Sequence, residues 1–130
     1  MKKNEFTGIN IQYPISRLIL TGKKTIETRT YPIPKKYIGC QLIIIETPGK
    51  GETFSARMIG LVSFGDSFKY ANASEFYKDS NLHFVDKSSP WKWNNSKPKW
   101  GWPIISITPF KKEIPAPKRK GIKYTTGISL

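Results

Sequence analysis

A chain of 130 residues suits one domain, residues 1–130, built around one core, because a fold of that size buries about two-thirds of the surface its unfolded chain exposes. Its formal net charge of +13, from 22 Lys and Arg against 9 Asp and Glu, favours a polyanion as partner. The composition argues against several classes: no run approaches the ~20 apolar residues of a membrane span, Met1-Lys2-Lys3-Asn4-Glu5 leads into no apolar signal segment, Cys40 alone permits no internal disulfide, and His83 with one cysteine makes no zinc pattern. A cytoplasmic protein without membrane contact, metal or other cofactor is the default expectation, with a monomer as the default state.

In chain order, the first strand is expected at 9–12. An amphipathic run from Pro14 to Thr21 follows, with a proline suited to the first helical position and Gly22 as terminator. Gly22-Lys23-Lys24-Thr25-Ile26-Glu27-Thr28-Arg29 then packs two ammonium groups, a carboxylate, a guanidinium and hydroxyls into one turn-then-strand segment. On a strand at 25–31, Thr25, Glu27, Arg29 and Tyr31 share one face, and Ile26, Thr28 and Thr30 the other. Further strands are expected at 41–46, where Cys40 reads as a buried inert thiol, at 55–64 and at 102–108. The loop Thr47-Pro48-Gly49-Lys50-Gly51-Glu52 is a turn rather than a phosphate loop, since its lysine lies between the glycines and no helix follows. A second short helix is expected at 72–79, opened by Asn72 or Ser74, with Phe76 and Tyr77 on its apolar face.

Charge is unevenly placed. From Lys87 to Leu130 ten basic residues stand against one acid, a charge of +9, which leaves 12 bases against 8 acids, +4, for the rest. Within the basic third, Pro90-Trp91-Lys92-Trp93-Asn94-Asn95-Ser96-Lys97-Pro98-Lys99-Trp100-Gly101-Trp102 holds all four tryptophans interleaved with lysines. Flat aromatic faces beside cations are what unstacked bases require. Tryptophan also fills cores, so Trp102 is expected to be partly core, with one or two of Trp91, Trp93 and Trp100 free for a ligand. The alternative for the charge is a merely solvated, lysine-rich surface.

The segment after the first helix resembles the ASCH family, small domains of the PUA-like superfamily with a Gly-x-Lys-x-x-Glu-x-Arg motif. Gly22, Lys24, Glu27 and Arg29 match it in full. The flanks are similar too: Ile11-Gln12-Tyr13-Pro14 and Leu18-Ile19-Leu20 upstream, then Tyr37-Ile38-Gly39, Leu42-Ile43-Ile44-Ile45, Ala56 to Val62, and Trp102-Pro103-Ile104-Ile105-Ser106-Ile107 before the proline-rich close. The resemblance covers about residues 8 to 123. It implies an α+β fold, a PUA-like mixed β-barrel or pseudo-barrel of about five to six strands with two short helices.

The resemblance also suggests activities. Some small ASCH proteins are amidohydrolases that remove the acetyl group of 4-acetylcytidine with the motif lysine, a threonine three residues later and a separate glutamate. Lys24 matches the lysine, Glu27 stands where the threonine would be, and Glu75 and Asp79 are the approximate counterparts of the glutamate. Another member is a ribonuclease, for which no acid and base pair is legible here, since His83 is alone. The expectation is therefore a cleft that binds RNA, other nucleic acid or a nucleoside, including a modified or flipped-out nucleotide. Lys23, Lys24, Thr25, Glu27, Arg29 and Tyr31 would line it, with Trp91, Trp93, Trp100, Lys118, Arg119 and Lys120 on the basic wall. If the protein is an enzyme, a hydrolase, Lys24 and Glu27 are the catalytic candidates; if the motif is only a brace, Glu27 pairs with Lys24 or Arg29 to fix the turn.

Overall fold

The computed structural model describes residues 5–118, 121 and 123–130. Its elements run β1 (Glu5–Gln12), α1 (Ile15–Leu20), β2 (Ile26–Arg29), β3 (Leu42–Thr47), β4 (Arg57–Phe64), β5 (Phe68–Lys69), α2 (Ala73–Lys78), α3 (Ser80–His83), β6 (Trp100–Pro115) and β7 (Tyr124–Ser129), with a 3₁₀ turn at Lys35–Tyr37. The strands form one mixed seven-stranded sheet in the order β2-β6-β4-β3-β1-β7, with β5 also on β6. Among the strands of the described residues, β1 and β3 alone pair in parallel, with Ile9 opposite Ile44 and Ile11 opposite Glu46. The fold is α+β, as expected, but the sheet is not closed, and the count is seven strands and three short α-helices among the described residues.

Periodicity explains the centre of this sheet. The run Leu42-Ile43-Ile44-Ile45 is buried throughout because β3 lies between β1 and β4, with apolar layers on both faces. Alternation divides it: Leu42 and Ile44 join Ile9, Ile59, Val62, Phe64 and Trp102 in the main core, while Ile43 and Ile45 join Met58 and Ile128 in a second one. Removing any of these isoleucines to alanine is worth about 2 to 5 kcal/mol. A third, smaller cluster of Tyr70, Phe76 and Val85 sits under α2 and α3.

Two glycines position the site. Gly22 takes φ +82°, and its N–H donates to Ile19 O at 3.0 Å, so the chain turns sharply out of α1 into the motif. Gly60 lies where α1 crosses the sheet: a Cβ there would stand 2.8 Å from both Leu20 Cδ1 and Thr108 O.

Several expectations need correction. β6 runs 16 residues, through Pro109, where 102–108 was expected; register shifts between Met58 and Gly60 and between Ser63 and Phe64 let the strand bend and absorb the proline. β7 was not expected, because Gly127, at φ +71°, interrupts a run with little apolar alternation. β5 is too short to leave a pattern, and α3 is a single turn. The strand expected over 25–31 is only Ile26–Arg29, so Thr25 and Tyr31 fall outside it. Cys40 is half-buried and precedes β3 instead of opening it in the core. Among the described residues no helix is long and apolar enough to cross a membrane.

Candidate nucleotide-binding cleft

The motif is gripped on both sides by backbone. Lys24 N donates to Leu18 O of α1, Thr25 N to Leu82 O of α3, and Ile104 N of β6 to Thr25 O, each at 2.9 Å. β2 then pairs with β6 so that Glu27 faces Trp102 and Arg29 faces Trp100. The sheet's end strands, β2 and β7, are not paired with each other, and Arg29 reaches across the opening to Asn10 O on β1 at 3.1 Å. That opening is a cleft of about 270 Å³, near the lower end of the ~300 to 1,000 Å³ usual for ligand pockets.

Charge inside the cleft is ordered around Glu27. Its carboxylate is 3.0 Å from Arg29 Nη2 and 3.5 Å from Lys24 Nζ, and it accepts from Thr28 N at 3.2 Å. Burial alone would raise this carboxyl, but Arg29 and Lys24 outweigh it and hold Glu27 below the usual carboxylate range. Lys24, only 1 % exposed, also donates to His83 O. Burial pushes its ammonium down; Glu27 offsets part of that fall and Arg29 adds to it. For Arg29 burial works downward too, yet Glu27 and Tyr31 raise it overall.

Of the residues expected on sequence grounds, the structure brings Lys24, Glu27, Arg29, Tyr31 and Trp91 together around this cleft. Trp91, 40 % exposed, stands at the rim. Tyr31 carries Lys123 Nζ over its ring at 3.9 Å, which sets a further cation beside the mouth. Thr28, expected on the opposite face, also lines the cleft, although it keeps its place in β2 opposite Gly101.

The others lie elsewhere. Lys23 and Thr25 are exposed and outside the cleft. Trp93 packs on Phe76 at 5.7 Å and donates Nε1–H to Asn95, while Trp100 packs against the main core. Lys118 borders a separate depression beside β7. Arg119 and Lys120 lie outside the described residues. Glu75 pairs with Lys78 at the surface and Asp79 accepts from Tyr70 OH, so neither approximate counterpart of a catalytic glutamate lines the cleft.

His83 is fully buried and serves the scaffold. Its Nδ1 accepts from Val85 N at 3.0 Å, its Nε2 lies 2.7 Å from Phe76 O, and its ring stacks on Phe76 at 4.2 Å, an arrangement that suits the neutral Nε2–H tautomer. Burial first, then Lys24 and Lys99, lowers its pKa. Sequence reasoning missed three participants: the Asn10 and His83 carbonyls, which no side-chain pattern could announce, and Lys99.

The solved structures that share this architecture include three of an ASCH protein from Zymomonas mobilis, ZmASCH. A serine-to-alanine variant matches with TM-score 0.67 at 13% identity over 97% of this chain and 90% of its own. A tyrosine-to-phenylalanine variant gives 0.64 at 15% over 84% and 74%, and the unsubstituted protein 0.64 at 14% over 84% and 72%. The fold is that of the ASCH domains. No family model matches the sequence, and no curated protein does. At this identity the likeness concerns the fold, and the chemistry of this ASCH fold rests on its own residues.

Proposed function

We propose that this ASCH-fold protein binds a nucleotide of RNA or another nucleic acid in the cleft between β2 and β1. One observation carries the reading: a cleft of nucleoside size, about 270 Å³, has a surplus of buried cations inside and an exposed tryptophan face, Trp91, at its rim. The cations suit phosphate, and an indole offers any unstacked base about 1 to 3 kcal/mol. Such a cleft takes a single splayed or flipped-out base, modified or not, more readily than a duplex, since a depression of this volume has room for about one nucleoside. The net charge of +13 would bring the strand to it.

Titration with a short single-stranded RNA, followed by calorimetry, tests the reading. Wild type should bind at low salt, Trp91→Ala should bind several-fold more weakly with the same melting temperature, and absence of wild-type binding would overturn the proposal.

A second reading, a hydrolase acting on 4-acetylcytidine or on RNA, is favoured by the lowered pKa of Lys24, which brings a lysine toward the range of a base or nucleophile. Against it, that ammonium is engaged by Glu27 and the His83 carbonyl, and Glu27 occupies the amidohydrolase threonine position. Release of cytidine from 4-acetylcytidine, or strand scission, abolished by Lys24→Ala in folded protein, would establish this second reading instead.

A further inference from the structure

Lys99 is a buried cation with no carboxylate of its own among the described residues. It is 6 % exposed, lines the cleft and makes no hydrogen bond or ion pair through its ammonium among the described residues. What it faces is the ring of Phe76, 5.9 Å away. The carboxylate within its electrostatic reach, Glu27, is already taken by Arg29 at 3.0 Å and Lys24 at 3.5 Å. Burial, and then Lys24 and Lys97, press against its charge, and Glu27, shared with two other cations, offsets only part of that cost, so the pKa of the ammonium stays lowered.

The balance of the lining residues says what would offset it. Lys24, Arg29 and Lys99 against Glu27 leave a charge of +2 inside the cleft. An internal phosphodiester brings one negative charge, whereas a phosphate monoester carries about −1.5 to −2 at pH 7 and three acceptor oxygens. An ammonium has three rotatable donors and suits a tetrahedral oxyanion as a point charge. We propose that Lys99 makes the inner part of the cleft a subsite for one phosphate monoester, so that the preferred ligand is a terminally phosphorylated nucleotide, free or at a strand end. This rests on the nucleotide reading above, and it adds the class of nucleotide and the residue that selects it.

Calorimetry with four probes separates the two ideas: inorganic phosphate, cytidine, cytidine 5′-monophosphate and cytidine 3′-monophosphate, each against wild type, Lys99→Met and Lys99→Arg. One of the monophosphates should bind wild type at least about ten-fold tighter than cytidine, Lys99→Met should bring the two within about two-fold, and Lys99→Arg should retain most of the difference. Inorganic phosphate should raise the melting temperature of wild type and leave that of Lys99→Met unmoved, and unliganded Lys99→Met should melt higher than unliganded wild type. Equal binding of cytidine and both monophosphates to wild type overturns the subsite and leaves the nucleotide reading standing. A preference for monophosphate that survives in Lys99→Met overturns the assignment to Lys99. Lys99-dependent phosphate binding with no binding of cytidine or its monophosphates upholds the oxyanion site and overturns the nucleotide reading. Should Lys99→Met fail to fold, a wild-type melting temperature indifferent to phosphate overturns the subsite by itself.

Discussion

Two carboxylates are buried here between cations, Glu46 at the end of β3 and Glu27 on β2, and the fold treats them differently. Glu46 accepts from Ser16 Oγ at 2.6 Å, Arg17 Nε at 2.7 Å and Arg57 Nε at 2.8 Å. Glu113 then takes the remaining charge of both arginines, at 2.5 and 3.4 Å, so that two acids meet two bases. Burial would raise the Glu46 carboxyl, but these donors hold it low, and Arg17 is raised in turn. Around Glu27 the same residue types do not cancel: Lys24, Arg29 and Lys99 crowd one carboxylate, and the surplus opens onto a cleft. A neutral, satisfied network is a brace between α1, β3, β4 and β6, whereas a charged, unsatisfied one is what the proposed nucleotide site would use. Residue identity does not separate the two; charge balance and access do.

The largest expected effect lies on the brace. Glu46→Ala leaves Arg17 and Arg57 short of an acceptor and should cost about 3 to 5 kcal/mol in urea unfolding, with the nucleotide affinity of the folded fraction unchanged. A loss of affinity without loss of stability would erase the distinction drawn above. Lys24→Met should cost less, about 1 to 3 kcal/mol, because it strands the buried His83 carbonyl. Unlike Glu46→Ala, it should also weaken RNA binding several-fold, so the paired measurement of melting and affinity sharpens the contrast.

Acid titration gives a further handle. His83 has its pKa lowered by burial, so the unfolded chain binds a proton that the folded chain resists, and stability should fall as pH drops below the ordinary histidine value of about 6.5. Glu27 and Glu46 are also lowered, against the opposing effect of their burial. Their contribution is complete above the unfolded carboxylate value and should be lost as pH falls through their folded values, below about 4.3. Two successive losses are thus expected in urea melts against pH, and Glu46→Gln should remove part of the second while leaving the first. The smallest effect concerns the open surface: Lys118→Ala should weaken binding to every RNA alike and reduce the log-log salt slope by about one unit or less. An unchanged slope would take Lys118 out of the footprint.

The main strands left readable traces because their periodicity is local. The apolar run at 42–45, the alternation at 57–64 and the helix stop at Gly22 are each visible within a few residues. β7 and the far half of β6 were not, since Gly127 and Pro109 break the local pattern and only pairing with β1 and β4 holds them in the sheet. The motif was legible as a cluster of charge, down to the Glu27 and Arg29 pair. Its partners were not, because Asn10, His83 and Lys99 are brought to it from three other parts of the chain.

By itself, then, the sequence determined the motif and the excess of positive charge, which follow from spacing along the chain and from composition, and the motif's likeness to the ASCH family implied the α+β class. The tertiary structure alone decided which cations are neutralised and which tryptophan faces the cleft. Trp91, Trp93 and Trp100 look alike in the chain, yet Trp93 packs on Phe76 and Trp100 against the main core, while Trp91 remains 40 % exposed. The reason is physical: burial and pairing depend on what packs from distant segments, and a lysine beside a tryptophan, as Lys99 is beside Trp100, carries no mark of whether an acid will arrive next to it.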